Sequence, residues 1–92
     1  MIRSFKHKGL ERLWVLGDEK AFNKQDIERI KIRLSYIHRA RSIEDINIPS
    51  FKLHELKGNR KGVYSITVRS NYRITFKFND GDAYILNYED YH

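Results

Sequence analysis

The chain contains no cysteine, a single proline and a single tryptophan in 92 residues. Without cysteine the fold has no disulfide to lean on and no thiolate for nucleophilic or metal chemistry, a composition suited to a reducing cytoplasm. No apolar run approaches the roughly 20 residues that cross a bilayer. The opening MIRSFKHKGLERLWVLG is interrupted by charge every two or three positions, so it has no apolar signal-peptide core. Neither a membrane span nor a processed leader is expected. Basic residues are also missing from one region: positions 78 to 92 hold Asp80, Asp82, Glu89 and Asp90 and no lysine or arginine.

The basic residues are concentrated upstream. Eighteen Lys and Arg against twelve Asp and Glu give a net charge of +6. Positions 52 to 77 carry Lys52, Lys57, Arg60, Lys61, Arg69, Arg73 and Lys77 against Glu55 alone. A basic middle followed by an acidic end suggests a polyanionic partner. Nucleic acid is favoured over a membrane surface, because no stretch joins a basic face to the bulky apolar face of an interfacial helix. At this length one domain over residues 1–92 is expected, burying roughly 60–65% of the surface of the unfolded chain.

Periodicity places the elements. Met1 to Lys6 has the alternation of a short first strand. Leu10, Leu13 and Trp14 mark a helix from Lys8 to Leu16 closed by Gly17. After Asn23, Ile27, Ile30, Leu34, Ile37 and Ala40 recur at helical spacing, predicting a second helix over 24–41. Its outer face is filled by Glu28, Arg29, Lys31, Arg33 and Arg39. That basic face, with Arg41, reads as a solvated surface that also meets RNA. His7 and His38 are assigned no functional role.

The second half reads as strands. Residues 51–56 form a candidate strand before the loop 57–62, and Tyr64-Ile66-Val68, Tyr72-Ile74-Phe76-Phe78 and Ala83 to Tyr88 complete an antiparallel meander. The order β-α-α-β-β-β-β predicts an α+β fold, two N-terminal helices packed on one face of a twisted, mainly antiparallel sheet. A two-residue turn at Asp80-Gly81 pairs Asn79 with Asp82, Phe78 with Ala83, Phe76 with Ile85 and Arg73 with Tyr88. The face away from the helices then gathers Arg73, Thr75, Lys77, Tyr88 and Asp90. The preceding hairpin calls for a three-residue loop, Arg69-Ser70-Asn71, which brings Thr67 near Arg73 and sends Arg69 to the rim.

Cationic side chains and a histidine on one face suit cleavage of RNA at its own 2′-hydroxyl. That reaction needs a base for the hydroxyl proton, cations for the charge growing on phosphorus and an acid for the leaving 5′-oxygen. Histidine serves either proton role near neutral pH, and arginine grips phosphate through two hydrogen bonds. No H-x-E, H-E-x-x-H or grouped-carboxylate pattern suggests a metal or other cofactor.

The segment KLHELKGNR (52–60), the run SITVRSNYRITF (65–76), the opening MIRSF and the ending DYH (90–92) closely resemble the HigB toxins of the RelE superfamily, in order and over the whole chain. The resemblance implies a RelE-like microbial ribonuclease fold and the toxin of a type II toxin–antitoxin system. It implies a ribosome-dependent endoribonuclease that cuts mRNA in the A site, beside 16S rRNA, without metal or cofactor. It further implies a helix-turn-helix, HigA-like antitoxin, with operator DNA reached only through that complex, and a cytoplasmic location. Position by position, His54 and His92 match the family's two histidines, Asp90 and Tyr91 their acidic and aromatic neighbours, and Lys57 and Arg73 the basic groups near the scissile phosphate. Arg60, Lys61, Arg69 and Lys77 are the candidate RNA-binding residues. The resemblance leaves the proton roles open: His92 as base with Asp90 or His54 as acid, or the reverse. Two other readings of the same charge pattern are a non-catalytic basic RNA-binding module and an inactive partner of an antitoxin repressor.

Overall fold

The computed structural model describes residues 1–90. Two helices, α1 (Lys8–Leu16) and α2 (Lys24–Arg39), precede four strands, β1 (His54–Glu55), β2 (Val63–Arg69), β3 (Tyr72–Asn79) and β4 (Asp82–Asp90). The strands form one antiparallel sheet in the order β1-β2-β3-β4. The helices cover one face of it. The expected α+β architecture is therefore present, with several local differences.

The expected first strand is reduced to two parallel bridges, Ile2 to Ala83 and Phe5 to Leu86, which lay the N-terminus along the free edge of β4. The expected strand over 51–56 is mostly a turn: Pro49–Phe51 is a short 3-10 segment, and only His54 and Glu55 pair with β2. Proline fixes its own φ and lacks an N–H, so it starts such a turn readily. The second helix ends at Arg39 rather than Arg41 because Ala40 is already extended and its N–H closes on the Tyr36 carbonyl.

Helix faces follow the apolar stripes. Leu10 and Leu13 of α1 meet Ile27, Ile30, Leu34 and Ile37 of α2 above Ile66, Ile74, Phe76 and Leu86 of the sheet, all buried. His7 caps α1 by accepting the Leu10 N–H at Nδ1, 3.1 Å away, and packs 5.6 Å from the Phe22 ring. Burial and the Arg12 charge lower its pKa, which keeps that nitrogen an acceptor. His38 accepts the Ile2 N–H at 3.2 Å and lies against Trp14, so both histidines are structural in their contacts.

The basic face of α2 differs from expectation. Arg33 is buried, donating to the Thr67 carbonyl at 2.7 Å and to the Arg29 carbonyl at 3.2 Å, with its guanidinium 4.4 Å from the centre of the Phe51 ring. Arg29 reaches the Val68 carbonyl at 3.4 Å, and Lys31 pairs with Glu19 at 3.0 Å. Arg29 and Arg33 follow the helical period of α2 onto β2, so they serve the sheet as well as the helix surface.

Two bulges set the sheet register. The β2-β3 hairpin turns through Ser70-Asn71, and the ladder shifts between Thr67 and Arg69, leaving Val68 as the extra residue. The expected three-residue loop is absent, yet Thr67 still pairs with Arg73, because the bulge restores the phase that a two-residue turn alone would lose. The second shift lies between Thr75 and Lys77 on β3 and falls around Ile85 on β4, whose φ is 50°. Beyond it Asn87 opposes Thr75, Tyr88 opposes Ile74, Glu89 opposes Arg73 and Asp90 opposes Tyr72. The expected pairs Phe76 with Ile85 and Arg73 with Tyr88 are thus replaced. Tyr88 turns to the helix side, where its ring lies 5.0 Å from Phe22 and 5.6 Å from Tyr72, and alternation sends Asp90 the same way.

Arg69 also departs from its expected place at the rim. Its Nε and Nη2 donate to the two carboxylate oxygens of Asp26 on α2, at 2.6 and 3.1 Å. Asp26 is buried, and the hydrogen bonds from Arg69 hold its pKa below the usual carboxylate range against the opposing effect of burial. Arg69 is itself partly exposed, and removing it strands the buried Asp26 carboxylate, which is destabilising. Arg69→Met is therefore expected to lower the urea midpoint at neutral pH, and adding Asp26→Leu to recover most of the loss.

Candidate active site

The β-sheet face turned away from the helices is not flat. The chain leaves β1, makes the 3-10 turn Gly58–Arg60 and enters β2, so that the 57–60 segment stands as a wall over the sheet. The resulting open cleft has a volume of about 410 Å³. His54, Lys57, Arg60 and Arg73 all line it, with Ser65, Thr67 and Asn71 among the polar groups beside them.

Each of these positions has a local cause. His54 sits on the exposed β1, opposite Ser65, with Nδ1 3.2 Å from the Lys52 carbonyl oxygen. Lys52 adopts φ 51° at the end of the preceding turn, which swings the chain into that short strand. Gly58, at φ 69°, opens the next turn in a conformation that side-chain-bearing residues rarely adopt, and this carries Lys57 and Arg60 over the sheet. Arg73 comes from β3, between Thr67 and Glu89. His54 and Arg73 lie two strands and about two residues apart, roughly 12 Å between Cα atoms from standard sheet spacings. Side chains of their length can converge on one group lying between them.

Glu89 on this face is held by several hydrogen bonds. Arg60 grips it with both terminal nitrogens, Nη1 to Oε1 at 2.9 Å and Nη2 to Oε2 at 2.6 Å. The Thr75 hydroxyl donates to Oε2 at 2.6 Å and the Asn87 amide at 3.4 Å. The Arg60 hydrogen bonds, helped by the one from Thr75 and the charges of Arg60 and Arg73, pull its pKa down to about 2 despite partial burial. Its carboxylate is a permanent anion at neutral pH.

Not every expected residue joins the cleft. Arg69 is tied to Asp26, Lys61 lies in a separate shallow depression with Glu55 and Gly58, and Lys77 is exposed opposite Tyr84. Asp90 closes β4 opposite Tyr72, a residue that lines the cleft, but on the Tyr88 side of the strand. Tyr91 and His92 lie outside the described residues. Among the described residues, no three His, Asp or Glu side chains form a group able to hold a metal ion.

Sequence reasoning missed Glu89 and Ser65. Ser65 is 1% exposed, and its hydroxyl has no hydrogen-bond partner among the described residues, an uncommon state for a buried polar group. Glu89 was hidden by the bulge. The available signal was the adjacent pair Ile85-Leu86, which breaks apolar alternation within β4.

Comparisons with known proteins bear on the family and the fold. Residues 3–92 match the family described as RelE-like toxin of type II toxin-antitoxin system HigB. A Proteus vulgaris protein named endoribonuclease HigB is 56% identical over 92 residues, the full length of both chains. Among solved structures, a YafQ mutant from E. coli is similar at a TM-score of 0.67 and 15% identity, covering 98% of this chain and 91% of that one. The YoeB-YefM complex from Staphylococcus aureus contains a chain similar at a TM-score of 0.61 and 18% identity, covering 97% and 95%. At those identities the two structures speak to the fold.

The Glu89 pKa fixes the sign of a pH effect. A carboxyl whose pKa falls from 4.5 to about 2 on folding stabilises the folded state above pH 4.5, and loses that contribution as pH drops toward 2. For a partly screened group this amounts to roughly 1–3 kcal/mol. Chemical denaturation of wild type and Glu89→Gln should show a stability gap at pH 6 that narrows steadily between pH 4.5 and 2.5. The slope common to both proteins should include the contribution of Asp26.

Proposed function

The chain belongs to the HigB family of RelE-like toxins of type II toxin–antitoxin systems, and we propose that this endoribonuclease cuts mRNA held in the ribosomal A site. The observation that carries the assignment of its active site is the convergence of His54, Lys57, Arg60 and Arg73 on one cleft. Catalysis begins when a base removes the 2′-hydroxyl proton. The 2′-oxygen then bonds to the adjacent phosphorus, the bond to the 5′-oxygen breaks, and an acid protonates that oxygen. The products are a cyclic phosphate on one fragment and a free 5′-hydroxyl on the other.

His92 takes one proton-transfer role and His54, at the cleft wall, takes the other, with Asp90 at the end of β4 as the alternative partner of His92. Lys57 and Arg73 stabilise the charge that grows on the phosphoryl oxygens, where fixed cations contribute most. Tyr91 stacks on a base of the codon, a contact contributing about 1–3 kcal/mol. Arg60, Lys61 and Lys77 provide positive charge for the RNA backbone. Arg69 acts in that field while anchored to Asp26. The ribosome supplies substrate orientation, a contribution that can reach several kcal/mol elsewhere. A helix-turn-helix, HigA-like antitoxin is the protein partner, and operator DNA is contacted through that complex. The toxin works in the cytoplasm, and among the described residues no helix is long and apolar enough to cross a membrane.

Mapping of new mRNA 5′ ends after induction tests this reading. Wild type should produce codon-phased cuts and growth arrest. His54→Ala and His92→Ala should each reduce cutting about 100-fold, the typical scale of a lost proton-transfer group. Growth arrest that survives both substitutions would instead indicate a non-catalytic RNA-binding module.

A further inference from the structure

A fixed anion on an RNA-binding surface requires a reason. Glu89 repels a phosphate backbone, yet four hydrogen bonds hold it in place: two from Arg60, one from Thr75 and one from Asn87. Its neighbour across the ladder is Arg73, which together with Arg60 lines the cleft. Two guanidiniums on one surface repel each other, and Arg60, whose side chain is 42% exposed, has several rotatable bonds through which to move into solvent. A carboxylate between them removes that tendency. The fork grip on Glu89 also leaves three of the five N–H donors of Arg60 for another acceptor. Arg60 can therefore hold Glu89 and a phosphate oxygen at the same time.

We infer that Glu89 is a positioning residue: it fixes Arg60 where it holds the RNA backbone and balances Arg73 beside the phosphate being cut, at the expense of weaker attraction for RNA. The inference rests on the endoribonuclease reading above. Thr75 and Asn87 belong to the same device, since they hold the carboxylate that holds the arginine. The acidic residue is thus part of a cationic site, and it favours geometry over affinity.

Two substitutions separate this role from simple structural support. Glu89→Gln keeps the size and a hydrogen-bond acceptor but removes the charge. It should lower kcat on ribosome-bound mRNA at least tenfold while tightening the Kd for a short RNA oligonucleotide several-fold at low salt, the gain shrinking as salt is raised. Glu89→Asp keeps the charge but withdraws it from Arg60. It should lower kcat similarly and leave the oligonucleotide Kd unchanged. A Glu89→Gln protein with kcat within twofold of wild type overturns the inference and leaves the nuclease intact. So does a loss of kcat accompanied by weaker RNA binding, which is the pattern of a deformed cleft. Should Glu89→Gln fail to fold, Glu89→Asp decides: kcat within twofold of wild type overturns the inference. A wild type that does not cut ribosome-bound mRNA removes the underlying nuclease reading instead.

Discussion

The phase of β4 governs both faces of this molecule. A strand alternates with a period of two, so one extra residue exchanges the faces of everything beyond it. Ile85 is placed there at φ 50°, a left-handed conformation that a β-branched residue adopts only under constraint. The constraint is visible in the parallel N-terminal segment: Ser4 accepts the Ile85 N–H at its hydroxyl and the Leu86 N–H at its carbonyl, while Lys6 and His7 donate to the Leu86 carbonyl. Seven residues at the start of the chain thus bind along the nine of β4 near its end. The outcome is Tyr88 packed among Phe22, Tyr72 and His7, with Glu89 opposite Arg73.

Much of the fold was legible because its signals are local and repeat. The stripe of Ile27, Ile30, Leu34 and Ile37 specified α2, and Asn79 to Asp82 specified a tight hairpin that the structure shows with the expected end pairs. Phase errors arise where one residue changes the count. Val68 and Ile85 have no composition that distinguishes a bulge residue from a strand residue, and only the neighbouring chain determines which it becomes. The arginines of α2 were misread for a related reason. Arg33 carries the same charge as a solvated residue, and its burial depends on the Thr67 carbonyl and Phe51 ring, both distant in sequence.

The site shows the same division. His54, Lys57, Arg60 and Arg73 could be selected from the sequence, since their chemistry is intrinsic to the side chains, and the fold gathers them. What the residues do to one another was not readable. Arg60 and Arg69 both looked like free cations for RNA, yet each grips a carboxylate with two nitrogens, Glu89 in one case and Asp26 in the other. One pair holds an arginine of the cleft and the other ties a strand to a helix, so equal charge leads to different work. Net charge therefore overstates the cationic surface available to a polyanion.

Arg33 and Arg29 carry a last consequence. The strand β1 pairs with β2 at only two positions, which leaves the Thr67 and Val68 carbonyls without a neighbouring strand on that side. Unoccupied strand edges recruit other chains, and proteins that leave them open tend to assemble edge to edge. Here the guanidiniums of α2 occupy those two carbonyls. The helix thereby covers carbonyls to which a further strand would otherwise bond.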